Sequence, residues 1–456
     1  MSLSLVAGCA VVALVAGCTP DAPPDPGPTP TPSGAPPASA TLTPGPDDWP
    51  TYHRDNARSG VAPHLAPLGR LTTAWQARLD GAVYGQPLVV GDAVFAATEH
   101  DTIYALDRAT GQVRWSLHVG SPMRGADLPC GNIDPLGITS TMAYDAASGQ
   151  LFALAELTGG QHLLFGVDAA TGAVRLRRPV EPPKGDPVAH QQRSALTVLS
   201  GRVYIAYGGL FGDCSRYVGS VVSVPTVGDG PATSWAVPTS REGGIWAPGG
   251  AAVLGDRLFY AVGNGESTGR YDGSDAVVAL TPDLRFADRF TPREWADDNA
   301  SDLDLGSMTP ALVGGWLYTQ GKRGTGYLVE ADRLGGIGGQ VATRQGCAAF
   351  GSAAVDGATV YLPCADAPRA ISVDAAGRIT ERWRAPVPAA GSPAVGGGAV
   401  WVVDDEDGVL YALDPRSGAV RERITVGRTP HFASPTLVGD RAYVGTLTGV
   451  VAVAGA

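Results

Sequence analysis

Apolar positions along this chain come in short runs, broken by Gly, Asp, Asn and Pro. No long stretch carries the three-to-four spacing of an amphipathic helix. Three stretches are near copies of one another. Tyr104-Ala-Leu-Asp107-Arg-Ala-Thr-Gly111-Gln-Val113-Arg114 recurs as Phe165-Gly-Val-Asp168-Ala-Ala-Thr-Gly172-Ala-Val174-Arg175 and as Tyr411-Ala-Leu-Asp414-Pro-Arg-Ser-Gly418-Ala-Val420-Arg421. Each predicts a strand, a tight turn and a second strand. Gly supplies a left-handed turn position, and the Asp side chain bonds backbone amides within the turn. A hairpin repeated along a long chain is the mark of a repeat architecture.

Small-residue strand openings recur at Gln86-Pro87-Leu88, Thr139–Thr141, Ser194–Leu196, Ala247–Gly249, Ser307–Pro310, Gly351-Ser352, Ser392-Pro393 and Ser434-Pro435. Hairpin signals follow at Gly91-Asp92, Gly255-Asp256, Asp356-Gly357 and Gly439-Asp440. Eight openings over residues 49–456 leave about 51 residues each, enough for four strands and their loops. After Ser434 only three strands fit before the chain ends. The missing outer strand is expected from Leu71–Arg78, so that strands from both ends of the body close the ring and remove its open edges. The expected fold is all-β, a single eight-bladed β-propeller, with Trp115 and Trp383 packing between blades.

Composition narrows the function. The net charge is −11, with no basic stripe to neutralise phosphates, which argues against nucleic acid. Residues 1–17 are mostly small and apolar, and Val15-Ala16-Gly17-Cys18 resembles a bacterial lipobox. That resemblance implies a signal peptide over 1–17, a diacylglycerol on Cys18, and an exported protein on the outer face of a cell membrane. No Lys or Arg precedes Cys18, so a start codon further upstream is expected. Eleven of the thirty residues 19–48 are Pro, which rules out a packed core there and makes 18–48 a linker. With Cys18 lipidated, Cys130, Cys214, Cys347 and Cys364 remain beyond the linker. In an exported protein they are expected to pair as Cys130–Cys214, between neighbouring repeats, and Cys347–Cys364, within one repeat; buried free thiols are the alternative.

The turn repeats, the eightfold count and the opening Trp49-Pro-Thr-Tyr-His-Arg-Asp-Asn-Ala-Arg-Ser-Gly60 resemble the pyrroloquinoline-quinone (PQQ)-like propellers, a superfamily of quinoprotein alcohol dehydrogenases and non-enzymatic propellers. In such a ring the loops entering the innermost strands gather at the axis. Here they carry Asn132–Asp134, His190–Arg193, Gly243–Trp246, Asp302–Asp304 and His431-Phe432. The resemblance implies Trp246 as a stacking floor, Asn264 as a metal ligand eighteen residues on, Asp302 as general base, Asp304 as an added metal ligand with Asp302, and Lys322 on the quinone oxygens. Asp213, after Gly208-Gly209, stands two places from where the family sets a metal-binding Glu. Cys130 stands where many members have two adjacent cysteines. Taken singly, a Trp before a strand is equally a core residue, and Asp302, Asp304 and Lys322 are equally solvated loop groups. Two functions follow. One is a quinoprotein dehydrogenase oxidising an alcohol or sugar hydroxyl, with PQQ, Ca²⁺ or a lanthanide, and a separate electron acceptor. The other is a cofactor-free propeller displaying a protein- or glycan-binding face.

Overall fold

In the computed structural model, which describes residues 42, 44–67, 69–388 and 391–455, eight four-stranded antiparallel sheets follow one another around a ring. Their innermost strands are Leu88–Val90, Ala143–Asp145, Thr197–Leu199, Ala252–Leu254, Ala311–Val313, Ala354–Asp356, Ala394–Gly396 and Thr436–Val438, which number blades 1 to 8. The expected closure is present: Leu71–Arg78 is the outer strand of blade 8 and pairs antiparallel with Gly449–Gly455. The expected signal peptide over 1–17, Cys18 and most of the expected linker lie outside the described residues. Among the described residues no helix is long and apolar enough to cross a membrane.

One register position explains the regularity of the ring. In every blade an aromatic on the second strand faces a smaller residue on the innermost strand. The pairs are Phe95 with Leu88, Phe152 with Ala143, Tyr204 with Thr197, Phe259 with Ala252, Tyr318 with Ala311, Tyr361 with Ala354, Trp401 with Ala394 and Tyr443 with Thr436. All eight rings are buried. Blades converge toward the axis, so small residues fit inside and large ones fill the wider space behind them. Outer strands such as Val113–His118 and Val420–Thr425 face solvent on one side and show it in their alternating exposure, whereas Ala93–Ala97 is buried throughout.

Each of the three copied turns receives a tryptophan from the blade before it. Trp75 donates to the Arg108 carbonyl, Trp115 to Ala169 and Trp383 to Pro415, at 2.9–3.2 Å. A Cβ on Gly111, Gly172 or Gly418 would stand 2.6–2.8 Å from these indoles, so only glycine admits the ring. Within the turns, Asp107 and Asp168 accept from the Thr110 and Thr171 amides and hydroxyls. Asp414 does the same for Ser417.

The segment Trp49–Gly60 runs through the axis as a strap. Its carbonyls accept the N–H groups of the middle residues of five innermost strands: Val89 from Trp49, Tyr144 from Pro50, Val253 from Asn56, Val355 from Ser59 and Val395 from Gly60. These strand edges face the axis and would otherwise lack partners. Buried Arg58 donates to Ala251 O (2.9 Å), Thr51 Oγ1 (2.9 Å), Tyr52 O (3.0 Å), Leu196 O (3.4 Å) and Thr197 Oγ1 (2.7 Å). His53 bonds Ser434 Oγ at 3.0 Å, and burial pushes its imidazole down to about 3, so it stays neutral.

Both disulfides are formed, Cys130–Cys214 and Cys347–Cys364. The first ties the segment entering blade 2 to blade 3, over a small core of Met123, Leu136 and Leu210. The second ties the segment entering blade 6 to the end of the second strand of that blade.

Candidate functional site

The aromatic register also fixes which residues ring the axis at the end of each second strand. Four residues beyond each aromatic lie Glu99, Glu156, Gly208, Gly263, Lys322, Ala365, Asp405 and Leu447, in blade order. Lys322 is the one cation in this series.

Lys322 brings two carboxylates together. Its Nζ lies 2.6 Å from Asp302 Oδ1 and 2.8 Å from Asp304 Oδ2. Asp302 takes the left-handed conformation that ends the helix Trp295–Ser301, and its side chain is 61 % exposed. Asp304 is buried, and its Oδ1 accepts the Asn264 N–H at 2.6 Å. The Asp304 carbonyl accepts the Lys322 N–H at 2.9 Å, which locks the two segments in register. Burial raises Asp304 above the usual carboxylate range, and Lys322 opposes that rise. Burial lowers Lys322, but the two carboxylates outweigh it and hold the ammonium above its ordinary value.

Asn264 connects this pair to the tryptophan. Its carbonyl accepts the Gly243 N–H at 2.7 Å, and the Gly244 carbonyl accepts the Gly263 N–H at 2.9 Å. Two residues on, Trp246 is half-buried, with Gly208 packed so closely that a Cβ there would sit 2.9 Å from the Trp246 Cβ. Gly209 and Gly244 make similar room for the Tyr217 ring. Trp246, Asn264, Asp302, Asp304 and Lys322 therefore lie along one rim, across blades 4 and 5.

Asp213 is held by other partners. Its backbone is left-handed, its Oδ1 accepts the Tyr217 hydroxyl at 2.5 Å, and its carbonyl is held by Arg241. Among the described residues, three carboxylate, imidazole or thiol groups come within 4.8 Å only at Cys347, Cys364 and Asp366, and those sulfurs are in a disulfide. Asn132 and Asp134 are exposed on the segment tied by Cys130–Cys214. His190 is a structural link: its Nδ1–H donates to Asp186 O at 2.8 Å, and its Nε2 accepts the Val218 N–H at 3.2 Å.

Glu242, Glu99 and Asp101 had no motif to announce them, whereas Arg193 and Phe432 lie in loops already expected at the axis. Glu242, nearly buried and paired with Arg241 at 2.8 Å, is raised by burial, with Arg241 opposing and Asp213, Glu266 and Asp304 adding to the rise. Glu99 and Asp101 on blade 1 are pushed up by burial to about 7 and about 9. The Arg193 guanidinium lies 5.0 Å from the Tyr84 ring and 5.5 Å from the Phe432 ring, and it donates to His431 O at 2.8 Å. Phe432 in turn lies 6.1 Å from Trp246 and stacks on Phe350 at 5.9 Å. These residues enter from five different blades, so only ring closure assembles them.

The donor chemistry suits a planar, acid-bearing quinone. Trp246 offers an aromatic surface, and Lys322 and Arg193 supply positive charge. For a hard cation the rim offers the Asp304 carboxylate, which accepts the Asn264 backbone N–H, with Asp302 joined to it through Lys322.

A profile described as outer membrane protein assembly factor BamB, of the PQQ-repeat type, matches residues 72–270 and 331–456. The chain is 27% identical over 288 residues to the dehydrogenase subunit of a quinone-dependent alcohol dehydrogenase of Gluconobacter oxydans, covering 52% of this chain and 36% of that one. It is 25% identical over 283 residues to a polyvinylalcohol dehydrogenase of a Pseudomonas species, covering 56% and 42%. The matches thus span well under half of those relatives. Among solved structures, quinohemoprotein alcohol dehydrogenase from Comamonas testosteroni superposes with a TM-score of 0.67 at 18% identity, over 91% of this chain and 81% of that one. A europium-containing methanol dehydrogenase gives 0.69 at 15% identity, over 92% and 100%. At these identities the structures speak for the fold, and the repeat profile for kinship: the chain belongs to the PQQ-like β-propeller family.

Proposed function

We propose that this protein is an exported, lipid-anchored quinoprotein dehydrogenase that oxidises an alcohol or sugar hydroxyl. The observation that carries this reading is the Lys322 ammonium between Asp302 and Asp304, on the same rim as Trp246. Its nearest support outside the structure is the pair of curated relatives, both dehydrogenases of alcohols.

PQQ, when bound, supplies a two-electron acceptor. The residues of this chain do the rest. Trp246 gives the ring a flat surface, and Lys322 and Arg193 orient its anionic oxygens. Asp304 and Asn264 would hold a Ca²⁺ or lanthanide ion beside it. Asp302 is the exposed carboxylate of the set, so its Oδ atoms meet an incoming hydroxyl and take its proton. Lys322 stays charged and holds the Asp302 carboxylate in place for that task. Electrons then pass to a separate acceptor, and Cys18 with the Pro-rich linker holds the propeller off the membrane.

The test is calorimetric titration of the full chain with PQQ in the presence of Ca²⁺, La³⁺ or EDTA. Binding that is lost in Lys322→Ala and Asn264→Ala supports the reading and justifies a screen of alcohols and sugars with an artificial acceptor. No binding under any of these conditions sinks it. The second reading, a scaffold whose axial face binds protein or glycan, would then stand. That reading is favoured by Cys130, which pairs with Cys214 rather than with an adjacent cysteine that would cover a ring on Trp246. Anchoring is tested by Cys18→Ala: release from the membrane fraction is expected, and retention would count against lipidation.

A further inference from the structure

Phe432 is the most conspicuously strained residue at the axis. Its φ is +67°, a left-handed backbone that a bulky aromatic seldom adopts. Such conformations persist only where the surroundings hold them, and they concentrate at ligand clamps and switches. Three holds are visible here. Arg193 donates to the carbonyl of the preceding residue, His431, at 2.8 Å. The His431 ring is fixed by Asp405, 2.5 Å away. The Phe432 ring is stacked on Phe350 at 5.9 Å and 9°, with Trp246 6.1 Å away at 42° and the Arg193 guanidinium at 5.5 Å.

The strain places an aromatic ring beside the half-buried Trp246, where a planar ligand would have to stack. From these contacts we infer that Phe432 is a specificity-determining gate: an internal aromatic occupant that a planar, anionic ligand must displace to reach Trp246. The inference rests on the quinone reading given above. The tethers suit the role. They are one hydrogen bond to a backbone carbonyl, one ion pair on a half-exposed histidine loop and a set of ring contacts, with no covalent tie. A ligand carrying acid groups also competes for Arg193, so the group that recognises the ligand is the one that releases the gate. Phe350 is the ring stacked on Phe432, so its loss should loosen the gate in the same direction but less.

Two measurements on the full chain test this. In stopped-flow binding of PQQ with Ca²⁺ present, followed by quenching of tryptophan fluorescence, Phe432→Ala should bind about fivefold tighter, the scale expected when a competing ring contact is removed. Phe350→Ala should show a smaller gain. If the wild type binds PQQ and Phe432→Ala binds equally or more weakly, the ring is a platform and the gate is overturned while the quinone reading survives. The second measurement needs no cofactor. Acrylamide quenching attributable to Trp246, taken as the difference between each protein and its Trp246→Phe partner, should rise in Phe432→Ala. If neither protein binds PQQ, the quinone reading falls and the gate falls with it; if the wild type binds and the quenching does not rise in Phe432→Ala, the gate alone is overturned.

Discussion

Lys322→Met removes the charge at the centre of the rim while keeping most of the side-chain volume. The cost follows from the two arms of the bridge. The Asp302 arm has a carboxylate 61% exposed, and such pairs are worth about 0–1 kcal/mol. The Asp304 arm ends on a side chain only 4% exposed. Breaking one partner of a buried pair costs about 3–5 kcal/mol, and the 23% exposure of Lys322 brings the expectation to the lower end, about 3 kcal/mol at neutral pH. The loss should also depend on pH, with a sign that can be stated beforehand. Burial already raises Asp304, and Lys322 is what restrains it, so the variant carries a carboxyl whose folded pKa climbs further above its unfolded value. The folded state then binds more protons than the unfolded state as pH rises from the ordinary carboxylate range to the new folded pKa. Stability of the variant falls across that window. Urea denaturation of both proteins at a series of pH values from 4 to 8 should show a gap that is smallest at the acid end and widens toward neutrality. A gap that is flat across the series, or below about 1 kcal/mol at pH 7, would refute the assignment of Asp304 as the buried partner.

Three further outcomes are expected. Arg58→Ala removes five hydrogen bonds, three that hold the strap to blades 3 and 4 and two within the strap itself, and should cost about 4 kcal/mol. With about 0.9 kcal/mol/K of unfolding entropy for a body of this size, Tm should drop by about 5 °C in calorimetry, and a drop under about 1 °C would contradict the strap's role. Replacing Cys130 and Cys214 by Ser opens a loop closed over 84 residues and should cost up to about 4 kcal/mol, more than the same change at Cys347 and Cys364 with their separation of 17; the reverse order in denaturant titrations would argue against loop closure as the cause. His431 should titrate above the usual histidine range because its bond to Asp405 favours the imidazolium. Its small stabilising contribution is complete below the unfolded pKa and lost as pH rises through the raised folded one. An NMR titration of Asp405→Ala should return it to the ordinary value.

The ring was legible because its devices are local. The Asp-x-x-Thr/Ser-Gly turns are spelled out over a few residues, and Leu71–Arg78 was found by counting the strands missing from the last blade. Tryptophans such as Trp115 were recognisable as packing because each needs only a facing glycine. The strap was not legible. Trp49–Gly60 works mainly through its carbonyls, and a backbone oxygen leaves no mark in the sequence. The same applies to the rim. Asp302 and Lys322 stand out as neighbours in a strand-and-loop pattern, whereas Arg193, Phe350 and Phe432 are far apart in the chain and meet only when blades 3, 6 and 8 come round to one axis. The partner of Asp213 was equally hidden: its hydrogen bond with the Tyr217 hydroxyl depends on a turn whose path the sequence does not spell out.

The partnership of Leu71–Arg78 with Gly449–Gly455 sets a timetable for the chain as it is made. The first of these strands leaves the ribosome early and has no partner until the last residues follow. About 370 residues separate them, and at about 5–20 residues per second the wait is about 20–70 seconds. For that period blade 1 lacks the Trp75 indole that fills its turn at Gly111, and blade 8 does not exist. The half-built ring is an open arc whose end blades expose their packing faces, and the waiting strand Leu71–Arg78 exposes a hydrogen-bonding edge that a second chain nearby could pair with. Synthesis rate and crowding of nascent chains, rather than the stability of the finished propeller, would then govern how much of this protein is recovered folded.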